Sequence, residues 1–355
     1  MTPVHLTSSA LVAVRARALL LADARPDALE QSVAAVGALQ AQSTPAVHLA
    51  LRARTAGLRQ SDVVAAVGDD HTLVRTTLMR GTLFLVAAHD LHWMVDLVGP
   101  VVSARGQRRR AQLGISERDG ERALRALPSI LTGRGAVTLG DIMAELQPLL
   151  RVELSGQVPA HLMLLAAANA LVCRGPESGR QPTYALVEEW ITSGVRHDRD
   201  TALLMLAGMY LAARGPATAA DFGTWSGLPA GDCRSAFARL PDTVRVECEG
   251  VELTALASTD LAPPARLPVR LIGMFDEYLL SHRSRGLILD PADAPRILTG
   301  GMIQSAVLVD GRIAGTWRVL PSKRAVKVEP FSPQPAAVKR AIDAEVDDVL
   351  RFLDA

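Results

Sequence analysis

The chain has 355 residues, 49% of them apolar and 21% charged, a composition that excludes disorder and leaves room for two or three domains with their own cores. Its 38 basic residues nearly cancel its 37 acidic ones, for a net charge of +1. It therefore lacks the overall basic balance of a protein that coats nucleic acid, and any nucleic-acid contact must come from local patches.

The longest apolar runs, residues 162–173 and 202–213, fall well short of the ~20 residues that cross a bilayer and read as buried helices. Arg15 and Arg17 interrupt the apolar N-terminus where a secretory signal needs an unbroken core, so the expected location is cytoplasmic. Cys173, Cys233 and Cys248 have neither the number nor the spacing of a disulfide framework or a zinc site. His89, His92 and Asp96 come nearest to a metal spacing, and they read as a solvated helix face beside Trp93. No metal site is expected from these residues.

In chain order, helices within residues 8–67 are interrupted at Gln40-Ala41-Gln42-Ser43-Thr44-Pro45. Ser43 or Thr44 can cap the next helix with Pro45 in its first turn, which puts both glutamines at a break between helices. Residues two apart point to different sides of a helix, whereas in an extended segment they can face one side. From periodicity alone the pair reads as capping or surface amides. Residues 72–86 then alternate well enough for a β-hairpin or wing, and they carry Arg75, Arg80 and Phe84.

An internal repeat follows. Arg134-Gly135-Ala-Val-Thr138-Leu-Gly-Asp141 and Arg214-Gly215-Pro-Ala-Thr218-Ala-Ala-Asp221 agree at four positions in one register. In both, Thr is a good N-cap and Asp stands three residues on, a weaker capping box that normally uses Glu or Gln. After the first copy come a helix over 159–173, a Gly/Pro turn and a short strand from Thr183. After the second come a short helix, the turn Ser226-Gly227-Leu228-Pro229 and a second helix with Arg234 and Arg239, which is helix-turn-helix grammar. Past Pro263-Pro264 the apolar runs around Asp310-Gly311 predict a hairpin within a small antiparallel sheet, closed by a helix over 335–353.

The sequence contains no phosphate loop, dinucleotide fingerprint, nucleophile elbow or metal-spaced His/Glu motif, which weakens the commonest cofactor-dependent and hydrolytic classes. Basic patches remain: Arg52 with Arg54 and Arg59, Arg75 with Arg80, Arg105 with Arg108-Arg109-Arg110, and Arg283 with Arg285.

Gln40-Ala41-Gln42, in the context VGALQAQSTPAVHLALRAR, resembles the Gln-apolar-Gln motif of the AlkZ/YcaQ-like winged-helix DNA glycosylases. Three further segments resemble that family in the same order: residues 75–86, residues 215–240, and Phe275-Asp276-Glu277-Tyr278-Leu279-Leu280 with Val309-Asp310-Gly311 and Gly315-Thr316-Trp317-Arg318. The tripeptide alone is nearly uninformative, whereas four ordered segments spanning most of the chain are specific. The resemblance implies an α+β, mainly α fold: three tandem winged-helix domains and a C-terminal antiparallel β-domain around duplex DNA. The corresponding boundaries are 1–130, with the glutamine segment, then 131–205, 206–258 and 259–355.

By the same resemblance, Gln40 and Gln42 are the catalytic pair of a monofunctional DNA glycosylase that excises N7-alkylated purines and, in some members, unhooks interstrand crosslinks. The expected partner is duplex DNA with alkylated purines, bound by a monomer without metal or cofactor. Phosphate contacts are expected from Arg75, Arg80, Arg283 and Arg285. Phe84, Asp276 and Tyr278 are expected to line the lesion cleft, with a structural salt bridge from Asp276 to Arg283 or Arg285 as the competing reading. Phe84, in place of an expected His, and Gly300-Gly301-Met302-Ile303, in place of an Asn-Gly-Ile-Phe type segment, depart from the pattern and bear on lesion choice. The alternative function is a non-catalytic winged-helix regulator or DNA binder.

An uncharged pair suits one kind of substrate. An N7-alkylguanine already carries a positive charge, so its base leaves without a protein acid, and the enzyme need only stabilise an oxocarbenium-like sugar and place a water. Glutamine is a poor general base, but its carbonyl can accept from that water while its amide fixes geometry.

Overall fold

The computed structural model describes residues 2–22 and 24–354. About 48% of the residues are helical and 19% lie in strands, the helix-rich mixture the sequence predicts. Two compact units emerge, each from more than one stretch of chain: residues 1–63, 204–225 and 229–355 in one, residues 64–203 and 226–228 in the other.

In the second unit, helix Glu117–Leu131 begins at Ser116, whose hydroxyl accepts from Asp119 N–H at 3.1 Å. Strand Val137–Thr138, helices Leu139–Leu146 and Val158–Ala167, and strands Val172–Arg174 and Thr183–Leu186 follow. Strand Thr183–Leu186 pairs antiparallel with both other strands. The core is aliphatic, with Leu127, Leu131, Ile142, Leu146, Leu162, Val172 and Leu186 all 2% exposed or less. The apolar run expected to form one helix over 159–173 is divided: the helix stops at Ala167, Ala170 takes φ +53, and residues 172–174 enter the sheet. A short apolar run fits a buried helix and a buried strand equally well, so periodicity could not separate them.

Strands Leu73–Thr77 and Leu83–Ala87 form the expected hairpin and join this sheet through Arg75 opposite Arg174. Its turn places both Arg80 and Gly81 at positive φ.

In the first unit, helices Ala219–Ser226 and Ala230–Arg239 lead into the hairpin Thr243–Cys248 with Val251–Leu256. Both repeat copies start a helix as expected. Thr138 and Thr218 each accept from the N–H of the Asp three residues on, at 3.2 and 3.0 Å, and donate to its carboxylate at 2.6 and 2.7 Å.

The C-terminal sheet runs Arg270–Ile272, Ala306–Val309, Arg312–Leu320, Ala325–Pro330 in spatial order, with every neighbouring pair antiparallel. Asp310 and Gly311 both take positive φ, the conformation that lets a two-residue turn follow strand twist. Helix Ala336–Leu353 packs against the sheet. Its Glu345 joins Arg52 of helix Thr44–Arg54 at 3.1 Å, Arg270 at 3.0 Å and the N–H of Leu271 at 2.9 Å. Among the described residues no helix is long and apolar enough to cross a membrane, and no group of three His, Cys, Asp or Glu side chains could hold a metal.

Candidate functional site

Gln40 ends the short strand Ala38–Gln40, and Gln42 lies in the bend before helix Thr44–Arg54. Helix Leu29–Val36 stops where Gly37 takes φ +79, a conformation that is strained for any residue with a Cβ. A Cβ there would also fall 2.3 Å from Cγ and Sδ of Met209. The next helix opens at Ser43 with Pro45 in its first turn, although the Ser43 side chain makes no capping bond. The glutamines thus occupy an extended break between helices. Gln40 is buried at 7% exposure, and Gln42 is exposed.

The backbone of this break is held by two buried side chains that the sequence did not single out, Glu277 and Arg214, with Trp225 buried against Glu277. Glu277 accepts from Gln40 N–H through Oε1 at 2.8 Å, and through Oε2 from Arg214 Nη2 at 2.8 Å and Trp225 Nε1 at 2.9 Å. Arg214 also donates to the carbonyls of Val36 and Ala38 at 2.8 and 2.7 Å. Its guanidinium lies 4.5 Å from the Trp225 ring centroid. The only hints in the sequence were that Glu277 lies in a segment resembling the family and that Arg214 opens the second repeat.

The residues expected to line a cleft lie in the interior. Asp276 accepts two hydrogen bonds from Arg54, at 2.8 and 2.7 Å, and neither side chain has any exposed surface. Its partner is therefore Arg54, which corrects the expected bridge to Arg283 or Arg285. The same carboxylate caps helix Glu277–Leu280 by accepting from Tyr278 N–H at 2.9 Å. Tyr278 donates to the carbonyl of Gly311 at 2.7 Å, and burial pushes its phenol well above the usual range. Phe84 is fully buried in its strand. Arg52 and Arg54, expected as part of a basic surface patch, are likewise buried in ion pairs.

The four expected phosphate contacts also separate. Arg75 is 7% exposed and pairs with Glu177 at 3.2 Å, while burial and the neighbouring Arg174 lower its pKa. Arg80 is half-buried, with its guanidinium 5.6 Å from the Phe84 ring centroid. Arg285 donates to the carbonyl of Leu279 at 2.6 Å. Arg283 has an exposed side chain, and its backbone N–H donates to Asp221 at 2.9 Å. A second exposed element is the hairpin Leu298–Thr299 with Met302–Ile303, which turns through Gly300 and Gly301 at positive φ and leaves Leu298 37% and Met302 42% exposed.

Between Arg283 and the helical turn lies His282, with a ring nitrogen 3.0 Å from the carbonyl of Arg214. Burial, then the nearby Arg15, lowers its pKa to about 3, against an opposing pull from Asp221. A neutral imidazole in the folded state and a protonated one in the unfolded state mean that unfolding takes up a proton between about pH 3 and ~6.5. Stability should accordingly fall as pH drops through that window, and His282→Gln should flatten the fall. Urea titrations at pH 7 and pH 5 check this, and an equal pH dependence in both proteins would rule it out.

The structure of Streptomyces sahachiroi DNA glycosylase AlkZ superposes with a TM-score of 0.80 at 23% identity, over 98% of this chain and 97% of that one. The chain belongs to the AlkZ-like DNA glycosylase family, whose model matches residues 33–352. A curated relative, the interstrand DNA cross-link repair glycosylase of Streptomyces sahachiroi, is 25% identical over 328 residues, covering 88% of this chain and 87% of the relative. This protein is therefore an enzyme that hydrolyses the N-glycosidic bond, and the alternative of a non-catalytic DNA binder is set aside.

Proposed function

We propose that the enzyme excises cationic N7-alkylated purines from duplex DNA, including bulky or crosslinked adducts, and that Gln40 and Gln42 are its catalytic residues. The observation that carries this reading is the placement of two uncharged amides on an extended break whose backbone is fixed by buried donors and acceptors. Preorganised amides can orient a water and stabilise a developing cation, which suffices when the base leaves already charged. The recurring order of helix, helix and two strands supports reading the fold as three winged helices with a C-terminal β-domain. The name of the curated relative supports extending the substrates to crosslinks.

In single-turnover assays, duplex DNA carrying N7-methylguanine should lose that base and keep an intact strand, while undamaged guanine and uracil remain. Equal release of uracil would contradict dependence on a cationic leaving group. A complex trapped with borohydride would contradict direct hydrolysis by water.

DNA affinity should rest on a few phosphate contacts, among which Arg283 has an exposed side chain and Arg80 a partly exposed one. Replacing Arg283 by Ala should weaken binding to all sequences alike and reduce the salt slope by about 1. Arg75→Ala should act chiefly on stability, because Arg75 is largely buried and pairs with the exposed Glu177. Fluorescence anisotropy over a range of salt concentrations separates the two. An unchanged slope for Arg283→Ala would remove it from the DNA-binding surface.

A further inference from the structure

We propose that Glu277, clamped by Arg214 and Trp225, is the positioning residue that sets the register of Gln40 for base release. This rests on the catalytic reading of Gln40 given above.

The geometry asks for a carboxylate at this position. Oε1 receives the Gln40 N–H, while Oε2 receives donors from both Arg214 and Trp225. A carboxylate accepts at both oxygens, whereas a glutamine amide accepts at one end and donates at the other. Glutamine at 277 could serve Gln40, or Arg214 and Trp225, but not both ends. Arg214 meanwhile fixes the carbonyls of Val36 and Ala38, so the residues two and four before Gln40 are tied to the same ion pair as Gln40 itself.

Arg214 and Glu277 are 0% and 1% exposed at the side chain. Burying such a pair carries a desolvation cost that apolar packing would avoid, so stability alone gives little reason for it. A fixed backbone at Gln40 does give one, because a displacement of ~1 Å at a reacting group can cost ~10²-fold in rate. Glu277 touches the Gln40 backbone and not the reacting atoms, so it acts through Gln40.

The test is a double-variant cycle read as single-turnover release of N7-methylguanine at saturating enzyme, with DNA affinity and melting temperature measured alongside. Glu277→Gln should slow release by ~10²-fold while DNA affinity stays at the parental value. Trp225→Phe keeps an aromatic ring beside Arg214 and removes the donor to Oε2; because it also shrinks a fully buried side chain, its effect is read from the difference between the two backgrounds. It should slow release several-fold in the parent and not at all in a Gln40→Ala background. If Glu277→Gln fails to fold, the Trp225→Phe cycle decides.

Equal slowing by Trp225→Phe in both backgrounds would overturn the proposal, since the effect would then bypass Gln40. So would parental rates for Glu277→Gln and Trp225→Phe beside a slow Gln40→Ala, and that result would leave the catalytic reading standing. A parental rate for Gln40→Ala would instead bring down the catalytic reading, and the positioning role with it.

Discussion

Gln42→Ala should slow release of N7-methylguanine by ~10²-fold, the usual cost of removing one preorganised polar group, while DNA affinity and melting temperature stay at the parental values. Gln42 is exposed in the bend before helix Thr44–Arg54, so its truncation opens no cavity. Gln40→Ala should slow release to a similar extent. It should also lower the melting temperature slightly, because the Gln40 side chain is largely buried. Neither change should raise the dissociation constant for DNA, since groups that organise water and charge at the transition state add little to ground-state binding. Gln42→Asp is the sharper probe: if residue 42 faces the sugar, a carboxylate there would act as base and countercharge, and should retain activity or extend it to less activated bases. Full activity in the Gln40→Ala, Gln42→Ala double variant would refute the assignment.

The second large effect is on stability. Asp276→Ala leaves the Arg54 guanidinium buried, with its two carboxylate bonds lost and the Ala50 carbonyl still accepting at 2.9 Å. Removing one partner of a fully buried ion pair costs about 3–5 kcal/mol, and the cap on Tyr278 N–H is lost as well. Chemical denaturation should show a loss of that size. Replacing Arg54 and Asp276 together by apolar residues of similar volume should recover much of it, because the desolvation cost then disappears too. If Asp276 lined the lesion site instead, Asp276→Ala would change the adducts released and leave stability nearly untouched.

The fates of these residues separate local from tertiary information. Arg134 and Arg214 hold the same place in the two repeat copies, and in both the following Thr and Asp build the same cap. Yet Arg134 reaches the half-exposed Glu145, while Arg214 is wholly buried on Glu277. Similarly, Arg52, Arg54 and Arg283 all stand in basic patches of the sequence, and of these three only Arg283 has an exposed side chain.

What the sequence determined by itself was local. It specified the helix starts at Thr138 and Thr218, the hairpins at residues 73–87 and at Asp310-Gly311, the closing C-terminal helix, and the break that carries Gln40 and Gln42. Each follows from capping, turn chemistry or alternation within a dozen residues or so. The tertiary structure decided which charges are buried and what they face. Glu277 meets Gln40 across 237 positions of chain, and Asp276 meets Arg54 across 222. Such pairings depend on how distant elements pack, and an Arg or Glu destined for a buried ion pair has the same local sequence character as one left in water.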